Sequence, residues 1–491
     1  MQPLKRNALF CTLSIALAAP LMLLPAPSAT AQSFEAYYGE NPARDAGQDV
    51  KSVNVCPKTG SIVVGSRRVA TGTEALVTRV DDSGVTLWQH AYRVGGGSAT
   101  SANAVVELRD GSGFAVTGSM VRTDTFIYVM RLNCDGKVLW TRVLGNQVSG
   151  NRAVGYDILE ARNVVAPAPT SDLVVVGDEN LLQPAGSVHG RIARLNAAGA
   201  VLFNFAYNQP VQSPGLRFRA VTESKSAAGG ADDLVVAGSA AYSTTWATDR
   251  RGLMFRVRAN GAPLCDAVMG NADGVNEDFF GLTGLSVGNF ANETVLVGAS
   301  VPPTAASAQQ VYMVRFRAGS CAPMVQAMWR DPQDGATAFD AVETSTINAG
   351  VPGSVIAAGT IRGTVTAGDG FSLSANPATL GPNATSMRYS TQSAKQENLV
   401  AIDNKRDRFV MSGSTFTDWD GSGDGQDFYL VQTDPNRKTN CVAPWDFSWT
   451  PVDLRDERFT PPVRVIQTST TVDVEAIDAK DEGYCCKLDP N

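Results

Sequence analysis

A short apolar motif that ends in glycine returns seven times between Ile62 and Ser414, and this repetition limits the possible folds more than any other feature. Each copy has three or four apolar residues, then Gly, and usually Ser or Thr, as in IVVGS from Ile62 and LVVAGS from Leu234. Short, β-branched and continuously apolar segments are typical of strands buried on both faces. A glycine at that point fits a place where strands crowd or the chain bends. The seven glycines are 53, 59, 61, 60, 61 and 54 residues apart: Gly65, Gly118, Gly177, Gly238, Gly298, Gly359 and Gly413.

The sequence around each motif predicts a unit of four strands. A hairpin with a turn of Asn, Asp or Gly follows the first five copies, for example LVTRVDDSGVTLW from Leu76. A weaker strand precedes each motif, for example NAVVELRD from Asn103. Four-stranded units stacked radially make a β-propeller, in which closing the ring hides the strand edges. A long stacked sandwich is the alternative architecture, but the constant four-strand period favours the ring.

The two ends of the repeat region predict how the ring closes. FEAYYGE from Phe34 resembles the ends of the fourth strands, yet it precedes the first complete unit. We therefore expect the N-terminal strand to complete the last blade. The predicted fold is an all-β, seven-bladed β-propeller of four-stranded blades, with eight blades if the C-terminal tail forms its own.

The chain divides into three predicted regions. Residues 1–31 read as a signal peptide, because Lys5 and Arg6 precede an apolar stretch and a small-x-small pattern ends at Ala31. Residues 32–445 form the propeller, and residues 446–491 form a tail with one or two strands. Residues 364–395 replace a normal hairpin in the sixth unit, as either a divergent blade half or a surface insertion.

Composition excludes several classes of function. The formal net charge is −7, so no basic footprint for general nucleic-acid binding is present. Beyond the signal peptide no apolar stretch is long enough to span a membrane. The signal peptide predicts export to the periplasm, the cell surface or outside the cell, and we expect a monomer. The chain has two histidines, which leaves little material for His-based metal centres or Ser-His catalysis.

The repeat resembles the bacterial exported β-propeller repeat proteins from about Phe34 to Cys441. This resemblance implies an exported or surface-associated protein with no fixed enzymatic role. RLNCDGKVLW from Arg131 also resembles the blade motif of pyrroloquinoline quinone enzymes and of a related outer-membrane assembly scaffold. Those enzymes often carry a vicinal cysteine pair, but Cys485-Cys486 lies outside the repeats here.

The strongest local candidate for a ligand site is an acidic loop between the last two inner strands. Oxygen-bearing residues at alternate positions with a Gly for the turn resemble the first half of a calcium loop. The pattern departs from a complete loop at Phe428 and Val431, so a solvated acidic hairpin is the alternative. The candidate calcium ligands are Asp418, Asp420, Ser422, Asp424 and Asp427.

The cysteines and the recurring arginines suggest structural roles. Cys441 with Cys485 or Cys486 is the preferred disulfide, because it would pin the tail to the ring, and a bridge between Cys265 and Cys321 of neighbouring blades is conceivable. His90 is expected to pack beside Trp88 and Tyr92. The recurring arginines are expected to pair across strands with Asp or Glu, or to bind an anion along one rim: Arg79, Arg131, Arg194, Arg256 and Arg315.

The leading expectation for function is a non-catalytic propeller that binds a protein or a glycan through one face of the ring. It requires no cofactor beyond the calcium ion that the acidic loop would hold. The alternative is a propeller enzyme, either a quinone-dependent dehydrogenase or a glycan-active hydrolase. That alternative needs carboxylates or a cofactor in the central channel, and no motif of the sequence identifies them.

Overall fold

The computed structural model is an all-β propeller, which confirms the predicted fold class. Within the residues it describes, no helix is long and apolar enough to cross a membrane. The structure describes residues 33–38, 44–95, 97–145, 150, 152–163, 170–181, 187–208, 215–225, 232–241, 250–270, 276–301, 309–331, 335–344, 353–362, 368–389, 397–405, 408–415, 426–439, 442–445, 448–452, 463–466, 469–471, 474–478 and 484–487.

Strand pairing in this part of the chain groups consecutive antiparallel strands into seven sets, which we number as blades 1 to 7. Blade 1 holds β2 (Arg44–Val53), β3 (Gly60–Val69), β4 (Gly72–Asp81) and β5 (Thr86–Val94). Blade 2 holds β6 (Ala99–Glu107), β7 (Phe114–Val121), β8 (Thr125–Leu132) and β9 (Val138–Leu144). Blade 3 holds β10 (Arg152–Asn163), β11 (Thr170–Leu181), β12 (Ser187–Leu195) and β13 (Val201–Asn208). Blade 4 holds β14 (Gly215–Ser224), β15 (Asp233–Ala241), β16 (Arg250–Val257) and β17 (Pro263–Met269).

The remaining blades follow the same order, and the ring closes as the sequence predicts. Blade 5 holds β18 (Asn276–Gly284), β19 (Thr294–Val301), β20 (Gln310–Phe316) and β21 (Pro323–Arg330), with a 3₁₀ turn at Gly288–Phe290. Blade 6 holds β22 (Gly335–Glu343), β23 (Val355–Arg362), β24 (Asp369–Ala375) and β25 (Pro382–Tyr389). Blade 7 holds β26 (Glu397–Lys405), β27 (Arg408–Thr415) and β28 (Asp427–Gln432), and its fourth strand is β1 (Phe34–Tyr38) from the N-terminal end.

The C-terminal segment from Val442 onward adds a fifth strand to six of these blades, and five of these six strands lie within residues 446–491, where the sequence predicted one or two. It visits blades 6, 5, 3, 2, 1 and 7 in turn and so runs backwards around the ring. Each tail strand pairs antiparallel with an outer strand, whose free edge it occupies. The tail strands are β29 (Val442–Trp445), β30 (Ser448–Val452), β31 (Val463–Ile466), β32 (Ser469–Thr471), β33 (Val474–Asp478) and β34 (Tyr484–Lys487).

The repeated glycine has a single structural cause in all seven blades. Opposite each glycine the innermost strand carries a β-bulge, which pushes a backbone carbonyl toward the glycine Cα. A Cβ on Gly177, for example, would lie 3.0 Å from the carbonyl carbon of Val154 and closer to its oxygen. Ordinary carbon contacts lie at about 3.5–4.0 Å, so a side chain is excluded. The glycine of each motif therefore permits a bulge in the neighbouring inner strand.

Polar contacts join neighbouring blades at their outer strands. The Tyr92 hydroxyl donates to the carbonyl of Gly136 at 2.6 Å, and the Tyr207 hydroxyl donates to Gly261 at 2.7 Å. Tyr38 makes the same contact with Gly84 across the closure of the ring. Two disulfides add covalent links between blades: Cys56–Cys134 and Cys265–Cys321.

Candidate functional site in the central channel

The seven bulges place seven side chains around a central cavity of about 630 Å³. On one side Tyr156 of blade 3 and Arg219 of blade 4 stack, with the guanidinium carbon 3.8 Å from the ring centroid. On another side the rings of Phe280 and Phe339 meet at 5.3 Å. The channel therefore has a polar sector and an apolar sector, as ligand sites commonly do. The bulge residues are Gln48, Asn103, Tyr156, Arg219, Phe280, Phe339 and Val400.

Three blades carry an aspartate directly after the bulge, and each carboxylate joins its blade to the next. Asp157 of blade 3 accepts from the backbone N–H of Ile158 at 2.7 Å and from that of Val221 in blade 4 at 2.8 Å. Asp340 of blade 6 accepts in the same way from Ala341 at 2.8 Å and from Ile402 in blade 7 at 3.2 Å. These backbone donors fix both carboxyl groups on the channel wall.

The third of these aspartates belongs to an ion pair. Asp49 of blade 1 accepts from the backbone N–H groups of Val50 at 2.8 Å and of Val105 in blade 2 at 2.9 Å. The Lys51 ammonium lies 3.0 Å from Asp49 Oδ1. Asp403 of blade 7 accepts from the backbone N–H of Ser52 at 2.7 Å. The channel thus gathers four carboxyl groups around one ammonium group.

This crowding changes proton affinities within the channel. Burial raises the pKa of Asp157 to about 6 and that of Asp340 to about 7, although Lys51 opposes the shift in both cases. The charge of Asp49 acts in the same direction as burial at both carboxyls. Burial likewise raises the pKa of Asp403. The attraction of the surrounding carboxylates outweighs burial at Lys51 and raises the pKa of its ammonium group.

Such an arrangement can carry out general acid–base chemistry. The carboxyl groups of Asp157 and Asp340 each gain or lose a proton near neutral pH. The Asp49 carboxylate is instead paired with the Lys51 ammonium group. An acid with a pKa near the working pH transfers protons efficiently. Strongly shifted carboxyl groups in a cleft are also a general indicator of a functional site.

The channel aspartates were missed at the level of the sequence. The signal exists, because Gly47, Gly155 and Ala338 each begin the pattern small-x-Asp-apolar in an inner strand. That pattern marks a channel position only when the bulge is known. Without the bulge, strict alternation of side chains assigns the aspartate to the wrong face of the strand.

The predicted calcium loop falls almost wholly outside the described residues. Asp418, Asp420, Ser422 and Asp424 are not described, while Asp427 begins β28 and pairs in register with Thr415. Calcium binding by this loop remains a prediction. Among the residues that the structure describes, no group of three or more His, Cys, Asp or Glu side chains is arranged to hold a metal ion.

The predicted disulfide from the tail remains a prediction. Cys441 lies outside the described residues, and only the backbone of Cys485 and Cys486 is described, in β34. His90 stacks on Trp88 at 5.1 Å, as expected of a packing residue.

The recurring arginines are structural in two different ways. Arg194 and Arg256 bind Asp172 and Asp233 at 2.9 and 2.8 Å, and Arg315 binds Glu293, so these three form the expected cross-strand pairs. Arg79 and Arg131 instead donate to backbone carbonyls, which include those of Val80 and Leu132.

Comparison with known proteins finds a match among solved structures. No family model and no curated protein matches the chain. Among solved structures, the chain is similar to a mutant of an α-L-arabinofuranosidase from Fusarium graminearum in complex with an iminosugar inhibitor. The identity is 12% and the TM-score is 0.44, over 67% of this chain and 92% of that chain.

This comparison corrects the leading expectation from the sequence. A non-catalytic binding module was expected, and this expectation is contradicted, since a solved structure to which the chain is similar is an α-L-arabinofuranosidase. At this identity the likeness concerns the fold alone, and a propeller can host many activities. The case for an activity therefore rests on the residues of the channel.

Proposed function

We propose that the protein is a glycan-active hydrolase whose reaction takes place in the central channel. The observation that supports this proposal most directly is the set of carboxyl groups on the channel wall, in which Asp157 and Asp340 have pKa values raised to about 6 and 7. Hydrolysis of a glycosidic bond needs one protonated and one ionised carboxyl group. Asp340 is suited to be the acid, and the ion-paired Asp49 is suited to be the carboxylate.

In this proposal the Asp340 proton goes to the glycosidic oxygen as the bond between that oxygen and the sugar carbon breaks. An ionised carboxylate stabilises the positive charge that develops on the sugar carbon. Water then supplies the new oxygen to the sugar carbon, and one of its protons restores the Asp340 carboxyl group. Phe280 and Phe339 provide an apolar wall on which the C–H face of a sugar ring can pack.

The test uses oligosaccharides and aryl glycosides of pentoses, hexoses and uronic acids, with Asp340→Asn and Asp157→Asn variants. We expect Asp340→Asn to lower the rate on oligosaccharides by about 10²–10⁴-fold, the usual share of a general acid. The loss should be much smaller on dinitrophenyl glycosides, because that leaving group departs without a proton.

The matched control is Asp278→Asn, which removes a carboxylate that binds Arg250 at 2.8 Å and does not line the channel. It should leave the rate unchanged. If the wild-type protein cleaves none of these substrates, or if Asp340→Asn matches the control, the proposal is wrong.

We further infer that the chain is exported. The basic and apolar N-terminal sequence supports export, and so do the two disulfides, because such bonds persist in oxidising compartments. Sequencing the N-terminus of the secreted protein tests this inference. Gln32 is the expected first residue, and retention of Lys5 in the exported chain would contradict it.

A further inference from the structure

The wall between blades 3 and 4 holds a basic cluster at the channel. Arg219 occupies the bulge of β14 and lines the cavity. The Tyr156 ring lies under its guanidinium group, and the two side chains are also hydrogen-bonded. A guanidinium stacked on an aromatic ring loses little freedom when it binds a ligand. Arg219 is therefore a preorganised cation on the wall of an otherwise acidic channel.

The surrounding charges leave this sector positive. Asp178 is a buried carboxylate that interacts with Arg219 and with two further arginines. It lies 3.3 Å from the Nε atom of Arg217 and accepts a hydrogen bond from Tyr156. Arg152, Arg217 and Arg219 all attract its charge. Three guanidinium groups thus face one carboxylate, and Arg219 is the one of the three that lines the cavity.

The basic sector adjoins Asp157, one of the carboxyl groups on the channel wall. The Asp157 carboxylate accepts from the N–H of Val221, two residues after Arg219 on the same strand, and Tyr156 directly precedes Asp157. Two residues of a strand span roughly 7 Å. A ligand can therefore touch Arg219 while the next part of the same molecule lies against Asp157.

We propose that Arg219 is a specificity-determining residue that binds the carboxylate of a uronic acid unit in the substrate. The planar fork of a guanidinium group matches a carboxylate with two parallel hydrogen bonds. A neutral glycan would leave this cation without a partner from the ligand. The inference deepens the proposed function and rests on it for the assignment of the channel as the reaction site.

The test measures binding rather than turnover. Titration calorimetry compares oligosaccharides of galacturonate, glucuronate and mannuronate with the same oligosaccharides after reduction of their carboxyl groups. It is run on the wild-type protein and on Asp340→Asn, so that binding is measured whether or not hydrolysis occurs. We expect at least one uronate oligosaccharide to bind about tenfold tighter than its reduced counterpart, a difference of about 1.4 kcal/mol.

The arginine variants assign that preference to one side chain. Arg219→Gln should abolish the difference between acidic and reduced oligosaccharides while leaving the affinity for the reduced form unchanged. Arg219→Lys should retain part of it, because the charge remains and the fork does not. Arg250→Gln, which removes the channel-remote partner of Asp278, should retain all of it.

The two proposals fail in different ways. If every reduced oligosaccharide binds as tightly as its acidic form, the uronate inference is wrong even when neutral glycans are cleaved. If Arg219→Gln keeps the preference, Arg219 is not its source and the inference is likewise wrong. Uronate-selective binding that depends on Arg219, without cleavage of any glycan, would support the inference and refute the proposed hydrolase.

Discussion

Replacing a motif glycine by alanine tests the link between the repeat and the channel. Glycine in the interior of a strand normally weakens it, so Gly→Ala at an unstrained position gains about 0.5–1 kcal/mol of stability. Gly413 is not such a position. A Cβ there would lie 2.7 Å from the carbonyl carbon of Asn398 and 3.0 Å from the Leu399 Cα. Both belong to β26, at the bulge of blade 7.

The structure sets the size of the expected effect. Relief of these contacts requires a movement of more than about 1 Å, because carbon atoms pack at about 3.5–4.0 Å and the Asn398 carbonyl oxygen lies still closer to the Cβ. Insertion of a methyl group into a packed interior typically costs about 1–3 kcal/mol. We therefore expect Gly413→Ala to lower the free energy of unfolding by that amount, measured by urea denaturation with the disulfides intact.

The control is a glycine with room for a side chain. A Cβ on Gly284, at the end of β18, would meet Thr222 Oγ1 at 3.6 Å as its nearest neighbour. Gly284→Ala should be neutral or slightly stabilising. Equal stability changes in the two variants would refute the idea that the bulge is what requires the motif glycine.

Three further predictions concern the interfaces and the charges. Tyr207→Phe should cost about 1–2 kcal/mol in urea denaturation, because it leaves the buried Gly261 carbonyl without its donor. Tyr128→Phe should cost nothing, since the buried Tyr128 hydroxyl has no hydrogen-bond partner among the residues that the structure describes; equal costs would contradict this. The pKa of Asp340 is raised to about 7 in the folded state from an ordinary 3.8, so the folded chain holds this proton more tightly than the unfolded chain. The stability that this proton provides is complete below about pH 4 and is lost as the pH rises to 7. Asp340→Asn should therefore make the melting temperature depend less on pH over that range, and an unchanged pH dependence would count against the raised pKa. Calcium should raise the melting temperature of the wild-type protein and not of Asp424→Asn if the acidic loop binds it, and an equal rise in both would contradict that site.

The fold was predictable because its signal is local and repeated. The apolar-Gly motif identifies one strand in each blade, and its period identifies the unit. FEAYYGE from Phe34 was sufficient to predict closure by the N-terminal strand, since it has the character of a fourth strand. The tail was underestimated, because short strands that pair with distant blade edges carry no period of their own.

The channel was not predictable for a different reason. Asp157 and Asp340 are ordinary aspartates in weak strands, and a one-residue bulge alone turns them toward the axis. Their raised pKa arises from burial and from the charge of Asp49, while Lys51 opposes the shift, and both residues are more than one hundred residues away from Asp157 in sequence. The disulfide between Cys56 and Cys134 escaped notice similarly, because its partners are 78 residues apart in adjacent blades.

The central claim is that the channel carboxyl groups cleave glycans. The most direct measurement is the pH dependence of reducing-sugar release from acidic and neutral oligosaccharides by the wild-type protein and by Asp340→Asn. We expect release that falls as the pH rises through about 7, where Asp340 loses its proton, and a variant that lacks most of this activity. No release of sugar at any pH, or a variant with the wild-type rate and profile, would contradict the claim.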